Sequence, residues 1–211
     1  MIGMLIRRMA TVINQEPPTP PTPTPYDAQV EYLETDGTQW IDTNYIPQVG
    51  DEIYVDVYVI QIPTTPSRQT IFSAGNGTIQ LYLRWIRDDN VLRFKYFSSD
   101  ESPFLSCPGN RNHSISIDSY GNLTLDGSVV HSIPSIGDID GTNKTLRLMY
   151  MADNTYPFYG RMKSFKLTSG GDTVLDLIPV RIGQVGYMYN RVDGTLLGNS
   201  GSGDFILGND V

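Results

Sequence analysis

The segment DEIYVDVYVI at positions 51–60 alternates without a break. Ile53, Val55, Val57 and Val59 fall on one side, and Glu52, Tyr54, Asp56 and Tyr58 on the other. Period-two alternation fits an extended strand with one buried face; a helix needs apolar residues three and four apart. Similar runs follow at QTIFSA (69–74), TIQLYLRWI (78–86), VLRFKYF (91–97), HSISIDS (113–119) and NLTLDG (122–127). Three more lie at KTLRLMYMA (144–152), FYGRMKSFKLT (158–168) and TVLDLIPV (173–180). Turn formers punctuate them: Gly75-Asn76-Gly77, Asp88-Asp89-Asn90, Tyr120-Gly121-Asn122, Asp126-Gly127 and Ser169-Gly170-Gly171. Short strands at this spacing predict an all-β sandwich or barrel, and no stretch of the body reads as helical.

The N-terminal region follows different rules. Residues 1–16 are apolar and basic, with Met4, Leu5, Ile6, Met9, Val12 and Ile13 as candidate anchor residues. Either a short amphipathic helix or an extended arm added to a partner's sheet fits them. An isolated helix of this length is marginal in water, so its apolar side chains need a partner. PPTPPTPTP follows at 17–25. Alternating Pro and Thr favours polyproline II, and nine such residues span about 28 Å at roughly 3.1 Å each. The expected organisation is an anchor segment (1–16), a Pro/Thr-rich linker (17–25) and a β-sandwich domain (26–211).

Composition narrows the function classes. The net charge is −8. Arg7 and Arg8 against Glu16 leave residues 1–16 near +1, so the remainder carries about −9. An acidic body argues against nucleic acid, whose phosphates need clustered Lys and Arg. Cys107 is the single cysteine, which rules out an intramolecular disulfide and a Cys-rich zinc site. His113 and His131 read as strand histidines. The apolar run at 2–6 is shorter than a signal-peptide core and precedes its arginines, so no conventional export and no membrane insertion is expected.

Four segments, VEYLETDGTQWIDTNYIP (30–47), IFSAGNG (71–77), NLTLDGSVV (122–130) and YGRMKSFKL (159–167), occur in an order that resembles the concanavalin A-like, laminin-G-type jelly roll. The ending IPVRIGQVGYMYNRVDGTLLGNSGSGDFILG (178–208) is similar to one found in proteins of gut Bacteroidales and their phages and prophages. The resemblance implies a jelly-roll sandwich over most of the body. With the anchor and rod it implies a virion protein: a capsid-attached head fiber or decoration of a crAss-like phage, at the virion surface. It would be held to a capsid or other virion protein through residues 1–16, as a homo-oligomer, a trimer by fiber analogy. A bacterial carbohydrate-binding module without catalytic activity is the alternative. The fold hosts lectins, glycosidases and inert modules alike.

Chemistry is sparse. Glu52 and Asp56 share a strand face, but no third carboxylate completes the Glu-x-Asp-x-x-Glu pattern of glycosidases of this fold, and a solvated strand face accounts for them; Asp172 and Asp176 read the same way. There is no nucleophile elbow, P-loop or His-Glu-x-x-His, so no enzyme activity is expected. Asp88-Asp89 and Asp138-Ile139-Asp140 are the acidic loops open to calcium, without a ligand spacing; no metal or cofactor is expected. Sugar binding needs aromatic faces beside hydrogen-bonding side chains. The aromatic candidates are Trp40, Tyr45, Tyr58, Tyr82, Trp85 and Tyr96; the ligand set expected for a host or mucus glycan is Trp40, Tyr58, Arg84, Trp85 and Arg87. The glycines of GNSGSGDFILG (198–208) are expected to let the last strand turn tightly and pack across the first ones.

Overall fold

The computed structural model describes residues 24–61, 66–76, 79–134, 141–151 and 156–211. The residues expected to form the anchor (1–16), positions 17–23 of the expected linker and the acidic stretch expected at 138–140 lie outside them. Among the described residues there is no α-helix, and no helix long and apolar enough to cross a membrane.

The strands run, in chain order, β1 (Ala28–Gln29), β2 (Leu33–Thr35), β3 (Ile41–Asp42), β4 (Glu52–Val59), β5 (Arg68–Asn76) and β6 (Ile79–Ile86). Next come β7 (Val91–Lys95), β8 (Leu105–Ser106), β9 (Arg111–Ile117), β10 (Leu123–Leu125), β11 (Ser128–His131) and β12 (Arg147–Leu148). The last are β13 (Gly160–Ser169), β14 (Asp172–Ile182), β15 (Val185–Asn190), β16 (Leu196–Leu197) and β17 (Ile206–Leu207). They form two antiparallel sheets. The larger has the order β11-β10-β9-β4-β13-β14-β15-β16, with β1 on β14 and β2 on β13. The smaller has the order β3-β12-β5-β6-β7-β8.

The alternation of 51–60 is realised as read: Ile53, Val55, Val57 and Val59 are buried against the second sheet. Phe165 on β13 meets Phe72 on β5 edge-to-face across the core, with ring centroids 6.0 Å apart. The expected strand at 144–152 shrinks to Arg147–Leu148. Met149 takes a left-handed φ of 67°, which ends the extended run, and its N–H turns to the Ile71 carbonyl. The tail packs as expected, β17 pairing with β2 and Asp210 bridging Val30. Gly201 makes that possible, because a Cβ there would lie 2.0 Å from the Thr38 carbonyl oxygen.

The Asp126-Gly127 hairpin also forms, with both residues left-handed (φ 49° and 82°), as a type I′ turn requires. Its aspartate has a second use. His113, 2% exposed, places Nδ1 2.9 Å from Asp126 Oδ2 and Nε2 2.8 Å from the Pro108 carbonyl. Burial pushes the Asp126 carboxyl up, but the Ser114 N–H, His113 and Arg111 outweigh it and hold the group below its ordinary value of 3.8. A depressed carboxylate stabilises the fold above its unfolded pKa, and that contribution is lost as pH falls through the folded value. Below about pH 4 the wild-type melting temperature is therefore expected to fall more steeply than that of Asp126→Asn. Parallel Tm-against-pH curves would contradict this role.

Candidate functional site

The outward face of the larger sheet is built from the polar half of the alternation. On β4 that half reads Glu52, Tyr54, Asp56, Tyr58. Strand register sets neighbours beside each: Ser116 and Lys166 flank Tyr54, Ser114 and Ser164 flank Asp56, and Asn112 and Arg161 flank Tyr58. A bulge in β13 between Met162 and Ser164 keeps Arg161, Ser164 and Lys166 all outward. The sequence carried the signal: Met162 and Phe165 stand three apart inside a run otherwise spaced by two.

Asp56 is the hub of this face. It accepts hydrogen bonds from the Tyr54 hydroxyl (2.9 Å), from Ser164 Oγ (3.2 Å) and from Ser114 Oγ. Tyr54 stays 41% exposed, so its ring is held by its hydroxyl and presented to solvent. At the other end, the Arg161 guanidinium lies 4.3 Å from the Tyr32 ring and 5.2 Å from the Tyr58 ring, and its Nε donates to Glu34. Between Tyr54 and the sheet's end runs a groove of about 410 Å³ lined by Glu52, Tyr54, Ser116, Asp118, Lys166 and Thr168. The arrangement offers tyrosine faces for apolar ring surfaces, with carboxylate, hydroxyl, amide and guanidinium groups beside them for hydroxyls. Of these residues the expected ligand set contained Tyr58 alone. Tyr32 and Arg161 were missed because their place beside Tyr58 depends on sheet pairing, while Tyr54 stood on the polar side of the alternation and was left out of the ligand set all the same.

The other expected ligand residues separate. Trp40 and Arg84 lie on the outward side of the smaller sheet. Trp40 stacks on Tyr150, with centroids 5.8 Å apart and planes 14° apart, and Arg147 sits 4.6 Å from its ring. Trp85 is the clearest correction. It is 0% exposed, packed with Leu83 and Leu92 in the core, and donates from Nε1 to the Cys107 carbonyl at 2.8 Å. It cannot stack on a ligand. Alternation sends it to the side opposite Arg84, where Leu81 and Leu83 already face inward. Arg87 lies past the end of β6, in the turn to β7, and bonds Asp88.

Tyr45 and Tyr96 also serve the fold. Tyr45 donates to the buried Asp51 at 3.0 Å, and the Tyr96 hydroxyl accepts from the Gly50 N–H at 2.7 Å. Cys107 is buried, and burial pushes its thiol up to about 12, leaving it protonated at neutral pH. Among the described residues no group of three or more His, Cys, Asp or Glu side chains is arranged to hold a metal ion.

No protein-family model matches this chain, and no curated protein matches it in sequence. Solved structures do share its architecture. One is a candidate carbohydrate-binding protein from Bacteroides ovatus, at 11% identity and a TM-score of 0.59, over 85% of this chain and 60% of that one. Another is a heptameric SAP-like pentraxin from Limulus polyphemus, at 9% identity and a TM-score of 0.53, over 88% of this chain and 96% of that one. At these identities the likeness is one of fold: an all-β jelly roll of the lectin-like kind. The chain spans less than two thirds of the length of the Bacteroides protein.

Proposed function

We propose that this chain is a non-catalytic glycan-binding module whose ligand lies along the outward face of the larger sheet. The observation that carries the reading is the Tyr54-Val55-Asp56-Val57-Tyr58 ladder, with its polar neighbours projecting beside two outward tyrosines. The face mixes both charges, Glu34, Glu52 and Asp56 against Arg161 and Lys166, and the body is acidic overall. A neutral glycan fits that balance better than a polyanion. The fold it shares with a candidate carbohydrate-binding protein supports the same class. Titration of the full chain with a panel of neutral polysaccharides tests it: binding that Tyr54→Ala and Tyr58→Ala weaken is expected, and a flat panel would reject it.

The module's display belongs to the same proposal. The apolar-basic segment at 1–16 followed by a proline rod at 17–25 supports a virion appendage, a head fiber or decoration held to a capsid protein and carrying several copies, three by fiber analogy. Weak glycan contacts then gain through multivalency. Deleting residues 2–16 is expected to abolish incorporation into phage particles while leaving the melting temperature of the body unchanged. Particles that still carry the truncated chain would reject the anchor.

A further inference from the structure

A cavity of about 450 Å³ lies where the loop after β7 meets the end of β11, so it joins the smaller sheet to the edge strand of the larger one. Ser99, Asp100 and Glu101 line it from the loop, and the run from His131 to Pro134 lines the other side. It shares no residue with the groove beside Tyr54, and its size falls within the range of small-molecule sites. Both walls are held by the fold. The Ser102 N–H donates to the Phe94 carbonyl at 2.8 Å, and the Phe94 N–H to Ser102 Oγ at 2.9 Å. The Ser99 N–H donates to the Tyr96 carbonyl at 3.1 Å, which closes the turn that carries Asp100. Opposite, the His131 ring meets Phe94 edge-on, with centroids 6.3 Å apart. Ile133 is seated over Gly121, where a Cβ would come within 2.9 Å of Cδ1. A ligand entering a preformed cavity has little to order, which favours affinity.

The polar lining is rich in acceptors. Carboxylates only accept, and the Ser99 hydroxyl already donates to the Asp100 carbonyl at 3.1 Å. Burial holds the His131 imidazole below its ordinary value of 6.5, so at neutral pH one ring nitrogen is an acceptor. No Lys or Arg lines the cavity. Arg93, from outside it, pairs with Glu101 and offsets that charge. Among the described residues no cation pairs with Asp100, so one negative charge is left over. His131, Asp100 and Glu101 are not grouped as the ligands of a metal ion would be. Ile133 and Pro134 add apolar wall to the carboxylate. We infer that this cavity is a second binding site, separate from the tyrosine ladder, which takes one primary ammonium group on a small body, a free aliphatic amine or an amino sugar of a glycan. The ammonium supplies the donors and the single positive charge that the lining lacks, the rest of the ligand lies against Ile133 and Pro134, and the chain's net charge of −8 draws cations toward it.

The test titrates the full chain at neutral pH and matched ionic strength with two pairs of probes: putrescine against butanediol, and glucosamine against N-acetylglucosamine. Each pair keeps the body and removes the charge. A free amine as the ligand is read as putrescine bound at least about fivefold more tightly than the diol; an amino sugar is read as the same preference for glucosamine. Asp100→Asn is expected to erase the preference. Asp100 is exposed, so the variant keeps the wild-type melting temperature. Asp89→Asn removes the same charge from the turn at the other end of β7 and is expected to change nothing. The ladder variants Tyr54→Ala and Tyr58→Ala are expected to leave amine binding intact, so this cavity and the neutral-glycan face fail separately. A wild type that prefers neither amine would overturn the inference. So would equal losses in Asp100→Asn and Asp89→Asn, which would mean attraction to the acidic surface at large.

Discussion

Trp85→Ala is expected to lower the stability of the domain by about 3–5 kcal/mol, the range for removing a large aromatic from a packed core. The residue is fully buried. The space beside it is closely fitted, since a Cβ on Gly109 would come within 2.8 Å of the indole. Truncation opens a cavity and strips the Cys107 carbonyl of the indole N–H that now serves it. Trp85→Phe restores most of the apolar volume but not the donor, so its cost is expected near 1–3 kcal/mol. Set against a total stability of about 5–15 kcal/mol for an ordinary domain, the alanine variant is close to the threshold of folding at physiological temperature. Urea unfolding followed by tryptophan-independent circular dichroism reads both values. An alanine variant that melts with the wild type and loses glycan affinity instead would return Trp85 to the surface role its sequence neighbours suggest.

Tyr54→Ala is expected to act the opposite way, costing affinity and sparing the fold. The ring is 41% exposed, so its removal is expected to change stability by no more than about 0.5 kcal/mol. As an aromatic anchor on an open face it is expected to carry about 2 kcal/mol of binding, a factor of about 30 in Kd. Tyr58→Ala is expected to cost a similar factor and also to free Arg161 from one of its two rings, which adds about 0.5–1 kcal/mol of lost local stability. Tyr54→Phe separates the two duties of Tyr54. It keeps the stacking face and removes the hydroxyl that Asp56 accepts. If ring orientation matters, the phenylalanine variant loses affinity by a smaller factor than the alanine one. Calorimetric titration reads the affinities and thermal melting the stabilities; equal Kd values for all three proteins would remove the tyrosine ladder as the platform.

Much of the fold stood in the primary structure. The β4 alternation placed Ile53, Val55, Val57 and Val59 inward and they are inward. Asp126-Gly127 specified a tight turn and makes one, because only residues tolerant of positive φ fit a type I′ hairpin. The glycines near the end let the chain return to β2, where Gly201 lies against backbone. What failed was the strand expected over 144–152, which is reduced to Arg147–Leu148 because Met149 is left-handed, with no glycine or proline there to announce it.

The candidate site was harder to read. Alternation determines that Arg84 and Trp85 point to opposite sides, but not which side faces the other sheet. β6 hides that choice especially well, since Leu81 through Trp85 are all buried, one set in the core and the other, Tyr82 and Arg84, beneath side chains contributed by distant segments. Tyr32, Tyr58 and Arg161 likewise meet only because β13 pairs with both β2 and β4 and carries a bulge that resets its phase. Local backbone preference and two-residue periodicity act within a few positions, so the sequence by itself determined the strands, the turns and the all-β class. Which aromatic became core and which became surface were decided by the pairing of strands far apart in the chain, because burial is a property of what packs against a residue and not of the residue.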